Sequence, residues 1–114
     1  MGRFSFQKNE RLLNRSEFDR VLTHGRKRKV DRICTIYTLP NGLDRQRLGI
    51  IASRKIGGAV QRNRAKRKIR EVFRHLKCRI DPAVDIVVIS GRELPSLPYS
   101  DLEKKISQAL LSPR

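Results

Sequence analysis

Between Arg54 and Arg79 the chain reads RKIGGAVQRNRAKRKIREVFRHLKCR, with eleven Lys/Arg and one acid, Glu71. Cationic groups at this density do one kind of chemistry, the holding of polyanions. Ala65, Ile69, Val72, Phe73 and Leu76 recur at the spacing of one helical face, and after the Gly57-Gly58 turn signal this predicts a helix over residues 59–77. At about 100° per residue, Asn63, Lys66, Arg67, Arg70 and Arg74 fall on one flank of the apolar stripe, and Arg64, Lys68 and His75 on the other. A charge run is commonly just a solvated face. Here, however, the signs do not alternate, and pairs such as Arg67 with Arg70 or Arg70 with Arg74 repel by roughly a few tenths of a kcal/mol each. Nothing in the helix is expected to offset this, so the surface is predicted to meet an external polyanion.

Residues that could cut a phosphodiester are harder to find. His24 and His75 are the only histidines, neither has metal-ligand spacing, and no acidic pair is flanked by them. General acid–base or metal-assisted cleavage needs His or carboxylates poised at the phosphate, whereas the basic surface offers only Arg and Lys. The Gly57-Gly58 pair is followed by no Lys-Ser/Thr and is not a nucleotide-binding loop. Cys34 and Cys78 lack CxxC spacing and a neighbouring His pair, which predicts reduced packing residues rather than a disulfide or metal site. The residues thus read as a nucleic-acid binder with no catalytic or metal-binding residues of its own, and residue types lean only slightly to RNA over DNA.

The whole composition agrees. The 114 residues carry a formal net charge of +16 and suit one domain, residues 1–114, with a modest core. Residues 1–79 hold 23 basic and 6 acidic side chains, whereas residues 80–114 hold 4 and 5. The partner is therefore expected to meet the first two thirds of the chain, and phosphate is the commonest polyanion that balances such a field. No apolar run approaches the roughly 20 residues of a spanning helix, and the charged N-terminus lacks the apolar core of a signal peptide. No membrane partner and a cytoplasmic location follow as expectations.

Several elements must position these residues. Residues 1–12, with Phe4 and Phe6, lack periodicity and read as an extended arm pinned by its phenylalanines. Ser16 and Asp19 have the S-x-x-D form of a helix start and Gly25 suits the stop, with Phe18, Val21 and Leu22 on one side. Segments 32–39 and 47–54 alternate like strands, and the intervening PNGLDRQ with its Asn41-Gly42 pair predicts an antiparallel hairpin between them. Alternation puts Cys34, Ile36 and Thr38 on one face and Ile33, Thr35, Tyr37 and Leu39 on the other. If the first face meets the basic helix, Tyr37 looks out from the opposite side as a possible base-stacking platform. DIVVIS, residues 85–90, predicts a central strand buried on both faces, and a Ser100/Glu103 capping box predicts a terminal helix carrying Leu102, Ile106, Ala109 and Leu110 inward. The fold class is α+β, helices packed on a small sheet.

The combination RLGIIASRKIGGAVQRNRAKRKIREVF, with Arg62-Asn63-Arg64 opening the helix, closely resembles the protein subunit of bacterial ribonuclease P. The likeness runs collinearly through NERLLNRSEFDRVLTHG, the strand holding Tyr37, and DIVVISGRELPSLPYSDLEKKI. It implies an αβββαβα two-layer sandwich like the second domain of ribosomal protein S5. Its βαβ crossover through the Arg-Asn-Arg helix would be left-handed, where general rules favour a right-handed one. It implies a ribonucleoprotein that removes the 5′ leader of precursor tRNA, with the catalytic Mg²⁺ held by the RNA subunit and no cofactor on the protein. The implied partners are ribonuclease P RNA and the precursor-tRNA leader, with no protein partner. By position, Ser53, Arg54, Lys55, Arg62, Asn63, Arg64, Lys66, Arg67, Arg70 and Arg74 match the family's catalytic-RNA surface. Phe18, Leu22 and Tyr37 match its leader cleft, Leu22 standing where the family often has a second aromatic and Cys34 where a core phenylalanine is common. A ribosomal-type RNA-binding protein and a protein-only nuclease are the rival readings.

Overall fold

The computed structural model describes residues 14–43, 45–80 and 83–111; the arm expected over residues 1–12 lies outside them. Helix α1, Arg15–His24, starts two residues earlier than the S-x-x-D reading placed it. Asn14 and Glu17 form the capping box: the Asn14 side chain accepts from the Glu17 amide at 2.9 Å, and the Glu17 carboxylate accepts from the Asn14 amide at 3.4 Å. The helix stops at Gly25 as expected, though in extended backbone (φ −74°, ψ 160°). Glycine is required there by close approach, since a Cβ would sit 2.4 Å from the Val21 carbonyl oxygen.

Four strands follow the basic and apolar runs: β1 (Arg26–Val30), β2 (Cys34–Pro40), β3 (Arg47–Ile51) and β4 (Val84–Ser90). The sheet order is β1-β2-β4-β3, with β3 parallel to β4 and the other neighbours antiparallel. This corrects the expected hairpin. Strands β2 and β3 do not pair, because β4 lies between them. The physical reason is that β4 is apolar on both sides and buried along nearly its whole length, so it takes the position with a strand on each flank. The Asn41-Gly42 turn instead opens a wider loop: the Asn41 side chain donates to the Arg45 carbonyl (3.0 Å) and accepts from the Leu43 amide (2.8 Å). The true hairpin is β1–β2, and β1 is the basic run Arg26–Lys29, which sequence reading left unassigned. A charged strand at a sheet edge resists further pairing.

Helix α2, Ala59–Leu76, joins β3 to β4 and ends one residue short of the expected boundary. Helix α3, Tyr99–Leu111, begins before Ser100, so the expected Ser100/Glu103 cap lies inside the first turn; the first helical bond runs from the Leu102 amide to the Pro98 carbonyl at 3.0 Å. Both helices cover one face of the sheet. Ala65, Ile69, Val72, Phe73 and Leu76 pack there with Ile36, Leu48, Ile86 and Val88 and with Leu102 and Ile106 of α3. Ile33 joins this core from the β1–β2 turn, not the opposite face. Burial of Phe73, fully enclosed, is worth about 3 kcal/mol or more by the usual cost of Phe→Ala. Cys34 is buried, and burial pushes its thiol pKa up to about 12. Cys78 is exposed, so it is not the packing residue expected. Among the described residues no helix is long and apolar enough to cross a membrane.

Candidate nucleic-acid interface

The approach to α2 is built by local chemistry. Ser53 accepts a hydrogen bond from the Lys55 amide (3.3 Å), capping a single 3-10 turn over Arg54–Ile56 whose Ile56 is buried as an anchor. Gly57 at φ 135° then turns the chain into α2, a conformation L side chains rarely adopt. Arg54 and Lys55 are left exposed. The first turn of α2 has neither an acid nor a side-chain cap, so its amides and partial positive charge add to the cations around them.

Along α2, Asn63, Arg64, Arg67 and Arg70 are exposed and Arg62 and Lys66 half-buried. Among the described residues, Arg54, Lys55, Arg62, Arg64, Lys66 and Arg67 have no acidic partner. Arg74 differs. Its guanidinium forks onto Glu71, with Nε to Oε1 at 3.1 Å and Nη2 to Oε2, and so the one acid of the helix does offset part of the repulsion. Lys68 also leaves the site: its ammonium donates to the Pro95 (2.8 Å) and Leu97 (2.5 Å) carbonyls, and burial, with the Arg64 charge, lowers its pKa. His75 bonds the Tyr99 hydroxyl at 2.8 Å. These two residues fasten the α3 approach to α2. Sequence reading missed Val60, 69% exposed, which with Asn63, Arg64, Arg67 and Lys68 lines a groove on the helix surface. Their i+3, i+4, i+7 and i+8 spacing from Val60 was the available signal.

The other candidates lie on the opposite face of the sheet, where α1 rests. Phe18, Leu22 and Tyr37 are brought together there, with Leu39 and Ile51, around a buried Val21–Val87 pair. Strand register arranges this face in cross-sheet rows. Leu39, Asp85 and Arg47 form one, Lys27, Tyr37, Val87 and Gly49 the next, and Lys29, Thr35, Ile89 and Ile51 the third. The first is closed over by an ionic lock that the sequence did not reveal. Asp85 is fully buried and accepts from Arg47 Nε (2.8 Å) and Nη2 (2.7 Å), Asn41 Nδ2 (2.8 Å) and Arg20 Nη2 (3.1 Å). Arg47 Nη1 also reaches Glu17 at 2.5 Å, which ties α1 to the sheet at a second point. Burial pushes the Asp85 carboxyl up, but the Arg47 and Asn41 hydrogen bonds, the Arg47 charge and Arg20 together hold it below the ordinary range. The Arg47 guanidinium is raised in turn, chiefly by its bond to Asp85. The lone acid heading an apolar strand was the signal, because a buried carboxylate requires partners.

The two groups of candidates thus form separate surfaces, one on α2 and its preceding turn and one between α1 and the sheet. Among the described residues no three His, Cys, Asp or Glu come together as a metal-binding group. A family model described as Ribonuclease P matches residues 6–113. The chain is 38% identical over 110 residues to the ribonuclease P protein component of Syntrophus aciditrophicus, covering 96% of this chain and 92% of that one. With that of Thermotoga maritima it shares 40% over 90 residues, covering 79% and 76%. The RNase P protein from Thermotoga maritima superposes with a TM-score of 0.80 at 32% identity, covering 92% of this chain and 98% of that one. That of Staphylococcus aureus gives 0.78 at 33%, covering 88% and 91%. Match along nearly the whole length, in sequence and in fold, places the chain in the ribonuclease P protein family.

Proposed function

We propose that this chain is the protein subunit of ribonuclease P, an accessory to a cytoplasmic ribonucleoprotein endonuclease that removes the 5′ leader of precursor tRNA. The observation that carries this, beside family membership, is the row of cations on α2 and the Arg54–Lys55 turn, most of them without acidic partners among the described residues. Ser53, Arg54, Lys55, Arg62, Asn63, Arg64, Lys66, Arg67 and Arg70 form the contact with the catalytic RNA, where their mutual repulsion is relieved by phosphates. Arg74 joins them when phosphate displaces Glu71. Phe18, Leu22 and Tyr37 receive the leader, bases against the aromatic faces and phosphates toward neighbouring cations. Such binding tolerates varied sequence because every base has a π-face. The phosphodiester is hydrolysed with Mg²⁺ held by the RNA, and the protein contributes affinity for the precursor and support of the RNA fold.

The test is cleavage of a 5′-labelled precursor tRNA at low Mg²⁺ with protein alone, a bacterial ribonuclease P RNA alone, and both. Cleavage only with both is expected. Cutting by the protein alone would establish a protein-only nuclease, and no stimulation of a competent RNA would leave a ribosomal-type binder.

A further inference from the structure

Five cations on and beside β1 have been given no role so far, although Lys27 and Lys29 stand in the cross-sheet rows of the α1 side. Strand β1 is Arg26-Lys27-Arg28-Lys29-Val30, and Arg32 follows in the turn to β2. Alternation divides them. Arg28 turns toward α3 and donates to the Ala109 carbonyl, while Val30 enters the core. Lys27 and Lys29 lie on the α1 side, in register with Tyr37 and Thr35, and both are exposed. The nearby acid, Asp31, is engaged by Lys105 at 3.3 Å, and Lys27, Lys29 and Arg32 have no acidic partner among the described residues. The backbone at Arg32 is also held in place. The Gly91 amide donates to the Ile33 carbonyl at 2.7 Å, and Gly91 packs so closely that a Cβ would lie 2.4 Å from the Arg32 carbonyl oxygen.

These cations border an open part of the sheet. The row Lys29, Thr35, Ile89, Ile51 lies beside the Tyr37 row and has no fully buried member. Lys29, Asp31, Arg32, Thr35, Ile89 and Gly91 line a groove at its β1 end, where the Asp31 carboxylate is the one engaged by Lys105. At its other end β3 finishes at Ile51 and leads into Ser53 and Arg54. The floor is therefore a cross-sheet track with cations at both edges and Phe18, Leu22 and Tyr37 along one side. Three interstrand spacings make it about 14 Å long.

Resting on the leader-binding reading above, we propose that Lys27, Lys29 and Arg32 form a phosphate-tracking edge for the upstream part of the leader. On that reading the catalytic RNA, which makes the cut, lies on the Arg54 and α2 side. Strand order puts β1 at the edge farthest from β3, so the leader passes Tyr37 first and meets β1 last. Lysines on an edge strand also guard against aggregation, but that role needs no groove and has no preference for leader length.

The experiment uses the reconstituted holoenzyme and precursors whose leaders are lengthened one nucleotide at a time, with wild-type protein, Lys29→Ala/Arg32→Ala and Tyr37→Ala. Wild-type affinity should rise with leader length to a plateau. The double variant should match wild type on short leaders, reach its plateau earlier, and on long leaders show a log–log salt slope shallower by about 0.7 for each phosphate it no longer neutralises. Catalytic-RNA affinity should be unchanged. Equal loss at every length, or no loss with wild-type length dependence intact, would overturn the β1 assignment alone. If wild-type affinity ignored leader length altogether, the leader-cleft reading itself would fall.

Discussion

Replacing Asp85 by Asn should loosen the hold of the sheet on α1. The carboxylate is fully enclosed and takes four hydrogen bonds, two of them from Arg47. Asparagine keeps the shape but removes the charge and turns a donor toward donors. Breaking a buried pair from one side ordinarily costs about 3–5 kcal/mol. Two features place this case near the lower figure: Arg47, 13% exposed, keeps Glu17, and Arg20, 46% exposed, can turn to water. A loss of about 3 kcal/mol should lower the urea midpoint by roughly 1–3 M at ordinary m-values. The pH dependence has a definite sign. Because the folded pKa of Asp85 lies below its ordinary 3.8, the stabilisation is present above that value and is lost as pH falls through the folded pKa. The Asn variant should lack this acid-sensitive component. Urea unfolding of wild type, Asp85→Asn, Arg47→Met and the double variant measures the coupling directly. A loss below about 1 kcal/mol, or strictly additive single effects, would refute an ionic lock at Asp85 and leave α1 held by Val21, its neighbours and the Glu17–Arg47 pair.

On α2, Arg64→Ala or Arg67→Ala should weaken binding to the catalytic RNA and flatten its salt dependence by about one unit of log–log slope for each phosphate left without its cation; filter binding across a salt series with an unchanged slope would remove them from the interface. Tyr37→Ala should weaken precursor tRNA binding while sparing mature tRNA, and equal losses for both would remove it from the leader cleft. Thiol alkylation at neutral pH should modify Cys78 and spare Cys34, which is buried with its pKa pushed up to about 12; mass spectrometry showing native Cys34 labelled as fast as Cys78 would contradict the packing around it.

What could be read in advance follows the range of the interactions. Helix α2 was legible to within a residue because its apolar stripe, Ala65 to Leu76, repeats through most of an eighteen-residue helix. Tyr37 was placed correctly once Cys34 and Ile36 were assigned to the helix-covered face, since strand alternation leaves no other choice. The hairpin failed because Asn41-Gly42 is a local signal, while the competition for β2 came from a strand more than forty residues away whose two apolar faces demanded the middle of the sheet. Strand β1 was invisible because RKRKV has no apolar alternation; its structure comes from pairing with β2. The Asp85 lock joins residues 38 and 65 positions apart, a distance over which no motif spacing speaks. On α2 the cation count was right, but Lys68 and Arg74 were already engaged by carbonyls and by Glu71.

The insertion of β4 between β2 and β3 also dictates an order of events. Residues 84–90 are made after every other strand, yet they fill the middle of the sheet. Until they emerge from the ribosome, β3 has no strand partner and β2 has only β1, so the nascent chain can assemble a hairpin and two helices but no closed core. Completion then requires one late segment to enter a slot lined on both sides, a non-local step of the kind that slows folding and leaves strand edges open to wrong partners. During that interval, repulsion among the cations already synthesised keeps neighbouring nascent chains apart.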